Sequence, residues 1–143
     1  MPECENIDPR MNIFRKSAGR ALAFMLMVAG AVIAQNPPAV VRTVVTRADA
    51  AAPGKEAVIV RVEFPPSATT GKHTHFGEEI SYVTDGEGEL TIAGQPARKL
   101  KVGDGFIVPS GAVHEARNTG SQPLKLVAVF VVEKGKALTT PAP

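Results

Sequence analysis

A chain of 143 residues with a formal net charge of +2 is about the size of one ordinary domain, which excludes a multidomain machine. So small a positive excess, with no basic run interleaved with aromatics, argues against a nucleic-acid surface. Tryptophan is absent and aromatics make up 5% of the chain, while Val, Ala, Pro and Gly dominate its second half. That mixture predicts an all-β body of short strands and punctuated turns.

At the start of the chain, Arg15, Lys16 and Arg20 precede an uncharged run from Ala21 to Ala34 that ends on small residues. This order predicts a secretory signal peptide. The run is 14 residues long, short of the ~20 a helix needs to cross a bilayer, and the "QNPP" that follows breaks any continuation. Val32 and Ala34 suit cleavage between Ala34 and Gln35, with Ala29 and Ala31 as a second possibility. Met11 begins a more conventional signal than Met1 does. Residues 1–34 are therefore expected to be leader and signal peptide, and 35–143 the mature chain, periplasmic or secreted from a bacterium and free of the membrane. The single cysteine, Cys4, lies in the leader, so the mature chain forms no disulfide and offers no cysteine for a lipid anchor. Removing the four basic and three acidic residues before Gln35 leaves a net charge of +1.

From Val40 onward, strand-like runs alternate with turn signals: "VVRTVVT", "EAVIVRVEF", "EISYVT", "GELTIA", "ARKLKV", "GFIVP" and "LKLVAVFVVE", separated by "DGEG", "GQP", "GDG", "PSG" and "NTGSQP". Such spacing predicts a small β-barrel or sandwich. No stretch between strands has room for the helices of a doubly wound α/β fold. In "EAVIVRVEF", Val58, Val60, Val62 and Phe64 share one face and Arg61 and Glu63 the other, so one side packs and the other meets water. The tail "ALTTPAP" reads as frayed.

Two of the three histidines, His73 and His75, are two residues apart; on an extended segment both imidazoles project from the same face. An H-x-H pair alone is weak, since such a pair is more often polar turn sequence. Glu79 follows where the chain could turn and return a carboxylate toward the same point, and the third histidine, His114, opens another short strand after a Gly-rich turn. Three imidazoles and a carboxylate form a plausible metal set.

At this point the sequence closely resembles the cupin superfamily. His73, His75, Glu79 and Gly86, spaced H-x-H-x3-E-x6-G, are similar to the first cupin motif. Gly103, Pro109, Gly111, His114 and Asn118, spaced G-x5-P-x-G-x2-H-x3-N, are similar to the second. The distance between them resembles that of compact single-domain bacterial cupins, quercetin dioxygenase-like members included, and the resemblance covers about residues 40–133. One position departs: Ser67 stands where the first motif opens with glycine, and Gly71 can supply the flexibility instead.

The resemblance implies an antiparallel jelly-roll barrel with His73, His75, Glu79 and His114 converging on one divalent metal. Without metal, each of these buried polar groups would need a partner or cost ~1 to 3 kcal/mol. Three nitrogens and one oxygen leave about two open positions on an octahedral ion, which suits Fe, Mn, Ni or Co, with Cu and Zn also possible. The resemblance further implies a metal-dependent dioxygenase-like oxidoreductase and, since small barrels of this kind often cover an edge with a second subunit, a homodimer, for which "VVRTVVT" is the candidate strand for exchange.

Around the expected ligands, Val58, Val60, Val62, Phe64, Phe106 and Val108 are candidates for an apolar lining, although each reads more readily as core than as substrate contact, and Ser81 shares strand parity with Glu79. Glu115 and Arg117 read as solvated, Tyr82 faces away, and Glu78 is either a base near the metal or a loop carboxylate. No residue beyond the ligands is assigned to catalysis. Arg and Lys are expected to be absent from the inner face, which favours a small, non-phosphorylated, metal-chelating molecule. Non-catalytic binding of metal or a small ligand, and a barrel using metal purely as a structural staple, are the alternatives.

Overall fold

The computed structural model describes residues 38–143, so the expected leader and signal peptide lie outside the described residues. Ten strands follow one another: β1 (Val41–Asp49), β2 (Lys55–Phe64), β3 (His73–Thr74), β4 (Gly77–Asp85), β5 (Glu87–Ile92), β6 (Arg98–Lys101), β7 (Gly105–Val108), β8 (His114–Asn118), β9 (Leu124–Glu133) and β10 (Thr140–Pro141). They form two five-stranded sheets, ordered β1-β2-β9-β4-β7 and β10-β3-β8-β5-β6. Every ladder is antiparallel. No helix occurs among the described residues, and the all-β jelly-roll expectation holds.

Strict alternation builds the core. Val58, Val60, Val62 and Phe64 of β2 lie opposite Phe130, Ala128, Leu126 and Leu124 of β9, and all eight are buried. They meet Leu90, Ile92, Leu100 and Ala116 of the other sheet in one hydrophobic cluster. Burying each larger side chain contributes about 1.5 to 3 kcal/mol, which is why a two-residue period suffices to fold the sandwich. The outer face of the first sheet carries exposed apolar groups, among them Ile80, Tyr82 and Ile107, and β1 forms the exposed edge of that sheet.

Glycine is required where the chain changes sheets. Between β4 and β5, Gly86 has φ +75°, and a Cβ there would fall 2.4 Å from the Pro123 carbonyl oxygen. Ser67 itself adopts φ +67°, a left-handed conformation open to glycine that costs a side-chain-bearing residue roughly 1–2 kcal/mol. Gly71, closer to His73, is also at positive φ.

The tail expected to fray is ordered. Thr140 and Pro141 pair with Thr74 and His73, Ala142 N–H donates to the Lys72 carbonyl, and Leu138 packs against the core. Its short, Pro-containing sequence carries no strand pattern of its own; pairing with β3 supplies the order.

Candidate metal centre

His73 and His114 face each other across the β3–β8 ladder, on one sheet. Glu79 belongs to the other sheet, between Val108 of β7 and Phe130 of β9. His75 lies on the short connection from β3 to β4. The four side chains therefore meet across the inside of the barrel, all buried, with one potential ligand atom from each within 4.8 Å of the others. His75 Nε2 is 2.9 Å from Glu79 Oε2 and 3.1 Å from His114 Nε2, and His114 Nε2 is 3.4 Å from Glu79 Oε2.

The outer nitrogens decide what this cluster can hold. His73 Nδ1 donates to the Gly71 carbonyl at 2.9 Å and His114 Nδ1 to the Ala112 carbonyl at 3.0 Å, while His75 Nδ1 donates to the carbonyl of Leu138. Carbonyl oxygens only accept, so each neutral ring carries its proton on Nδ1 and turns an Nε2 lone pair inward. Three lone pairs and a carboxylate then confront one another in a buried space. A cation at their centre satisfies all four, so the donor set fits a metal ion, with the backbone carbonyls orienting the rings.

Electrostatics agree. Burial lowers the His73 pKa to about 4, with the neighbouring His114 and His75 acting in the same direction against the hydrogen bond to Gly71; the ring is neutral at physiological pH. Burial alone would raise Glu79, yet the His114 and His75 rings beside it and the hydrogen bond from Ser81 hold its carboxyl well below the usual carboxylate range. Ser81 Oγ donates to Glu79 Oε1 at 2.6 Å, fixing the oxygen not directed at His75.

Of the expected lining, Val60, Val62, Phe64 and Phe106 border the cavity beside the cluster; Val58 and Val108 are fully buried in the core instead. The cavity measures about 70 Å³. Arg42 also lines it, correcting the expectation of no basic residue on the inner face. The reason is register: Arg42 stands opposite inward-facing Val62, and directly opposed residues of an antiparallel pair share a face. Leu138 and Thr139 of the ordered tail line it too.

Glu78 is exposed on β4, on the face away from the cluster. Glu115 is half-buried and accepts from Thr69 Oγ1 at 2.5 Å, while Arg117 pairs with Glu89 on the surface. Asn118 is structural: its Nδ2 donates to the carbonyls of Phe64 and Gln122, and its Oδ1 accepts from Gly120 N–H. The sequence reading missed Arg42, the Leu138 carbonyl and Thr139. Only Arg42 left a usable signal, a cation set among the valines and threonines of "VVRTVVT".

The model of the cupin domain matches residues 60–132 of the chain. The chain belongs to the cupin family. A germin-like protein of Arabidopsis thaliana, subfamily 2 member 2, is 32% identical over 77 residues, which cover 50% of this cupin and 35% of the relative. The chain thus spans about a third of that relative's length. Among solved structures, a conserved double-stranded β-helix protein from Klebsiella pneumoniae is similar at TM-score 0.60 and 26% identity, over 74% of this cupin and 89% of that chain. DMSP lyase from Ruegeria pomeroyi is similar at TM-score 0.55 and 27% identity, over 60% and 43%. A recombinant oxalate oxidase in complex with glycolate is similar at TM-score 0.54 and 26% identity, over 59% and 45%. Enzymes of different reaction classes share this barrel, so the reaction must be argued from the site.

Proposed function

We propose that this cupin is an exported, metal-dependent oxidoreductase of the dioxygenase-like kind, acting on a small, non-phosphorylated molecule inside its barrel. The observation that carries the reading is the convergence of three inward Nε2 lone pairs and the Glu79 carboxylate beside a small apolar cavity. His73, His75, His114 and Glu79 would hold one divalent ion, for which Fe, Mn, Ni, Co, Cu and Zn all suit the donors. Bound there, the ion supplies open coordination positions and redox or Lewis-acid chemistry.

The chain's own contribution is to orient and to exclude water. Val60, Phe64, Phe106 and Phe130 wall the cavity, and its ~70 Å³ is less than half of an engineered cavity of about 150 Å³ that takes benzene. A ligand of a few heavy atoms fits. Arg42 is the one titratable residue lining the cavity outside the donor set, and guanidinium does not give up its proton. An isomerase or lyase that relies on a side-chain general base finds none there, which favours chemistry supplied by the metal. The same lack favours a second reading, a non-catalytic protein that binds metal or a small ligand.

The test is elemental analysis of the mature protein, purified without chelator, beside a His73→Ala/His114→Ala variant. Near-stoichiometric metal in the first and none in the second is expected, followed by oxygen uptake with a chelating substrate. Equal trace metal in both overturns the reading. Ligand-dependent thermal stabilisation without turnover selects the binding protein. N-terminal sequencing of the exported chain should begin at Gln35.

A further inference from the structure

With a divalent ion in the donor set, the cavity carries an unbalanced charge. Arg42 lines it at the barrel mouth, projecting to the same face as Val62 across the β1–β2 ladder, and Val44, opposite Val60, continues the same wall. Other cations on or beside this strand have carboxylates close by: Arg47 is 3.6 Å from Glu56 and Lys134 is 2.6 Å from Asp49. For Arg42, among the described residues, the charge that bears on it is that of Glu79 inside the cavity, while burial lowers its pKa from the ordinary value. Once a divalent ion occupies the donor set, Glu79 is committed to the ion. Neutral imidazoles add nothing, so the ion, Glu79 and Arg42 together leave a surplus of two positive charges, with the ion inside and Arg42 open to water at the cavity's edge. An anion between the two would offset the buried part of that surplus.

We infer that the ligand of this cavity is a short-chain carboxylate, held by the Arg42 guanidinium at the mouth with its other polar end directed toward the His73–His75–Glu79–His114 cluster. The inference rests on the metal-centre reading above and names the substrate class of that site. A planar guanidinium presents two parallel N–H donors that match a carboxylate. A phosphate would require more donors than the lining offers: beyond Arg42 there are Thr70 and Thr139, and Thr70 Oγ1 already accepts from Ala116 N–H and donates to a backbone carbonyl. The small volume and the apolar walls favour a ligand with few atoms and one or two charged ends. A non-phosphorylated ligand is then favoured by the few donors beside Arg42, and not by the absence of a basic residue.

The mature chain loaded with Co(II) provides a test that does not depend on turnover. Cobalt content is measured first; glycolate, its neutral analogue glycolamide, and inorganic phosphate are then titrated while the visible cobalt spectrum and the heat of binding are followed. Glycolate is expected to bind, glycolamide and phosphate to bind far more weakly, and Arg42→Met to weaken glycolate by roughly 10- to 100-fold. The variant should retain its cobalt content and melting temperature, because Arg42 is solvent-exposed on an edge strand, and Arg42→Lys should recover part of the affinity. Equal glycolate affinity in Arg42→Met with full cobalt overturns the carboxylate assignment and leaves the metal centre intact. Phosphate binding as tightly as glycolate, with the same dependence on Arg42, also overturns it. Failure of the wild-type chain to take up cobalt overturns the metal-centre reading, and this inference with it.

Discussion

Ser81 Oγ donates to Glu79 Oε1, and three backbone carbonyls hold the outer nitrogens of the three histidines. Each is an outer contact that fixes the direction of an inner atom. Removing the smallest of them, by Ser81→Ala, should leave the fold intact and weaken metal binding about 10- to 100-fold, as loss of such contacts does elsewhere; competition with a chromophoric chelator measures it, and unchanged affinity would sink the positioning role. The metal-free protein should also lose stability in mild acid. His73 in the folded chain takes its proton only at about 4, below its ordinary value of 6.5, so between these pH values the unfolded chain binds more protons and stability rises with pH. Glu79, held below its ordinary 4.5, adds a loss of the same sign under more acidic conditions. Thermal melts of the metal-free chain should be flat with respect to this histidine above pH 6.5 and fall as the pH drops toward 4; a melting temperature insensitive to pH across that window would contradict a neutral, buried His73.

Among the elements, β10 and Leu138, two residues ahead of it, couple the chain's end to the site. Pro141 pairs with His73, and the Leu138 carbonyl accepts from His75, so one short segment touches two of the four donors. Deleting residues 138–143 should weaken metal binding by about tenfold or more, because His75 loses the acceptor that sets its tautomer, while the ten-residue β2 and β9 ladder keeps the barrel folded. Chelator competition and circular dichroism on the truncated chain separate these outcomes. The strands themselves were legible from alternation: the run "LKLVAVFVVE" is β9 residue for residue. β10 was not legible, because a two-residue strand has too few positions to show a period, and its order comes from β3 and the cavity beneath it.

At the scale of the whole molecule the centre joins the two sheets, with His73 and His114 on one and Glu79 on the other. An ion held there binds the folded chain and not the unfolded one. At 100 times its dissociation constant it should add about 2.7 kcal/mol, seen as a rise of several degrees in melting temperature that a chelator reverses; an equal melting temperature with and without chelator would overturn the bridging role. The exposed Ile80, Tyr82 and Ile107 of the outer face and the exposed edge strand β1 accompany the expectation of a homodimer, for which sedimentation at micromolar concentration is the test and a monomer the contrary result.

The residues themselves determined that this chain is all-β, that the inward face of β2 is that of Val58 to Phe64, and which four side chains gather in one buried cluster, because period-two burial and fixed spacing are local properties of a sequence. Tertiary structure alone decided the rest. Which strand lies beside which, and in what register, is a long-range matter: it places His73 opposite His114, brings Arg42 beside Val62 and so into the cavity, and folds an unpatterned tail over His75. Those pairings depend on closure of the barrel, where contacts distant in the chain become neighbours and a residue's surroundings no longer follow from the residues next to it.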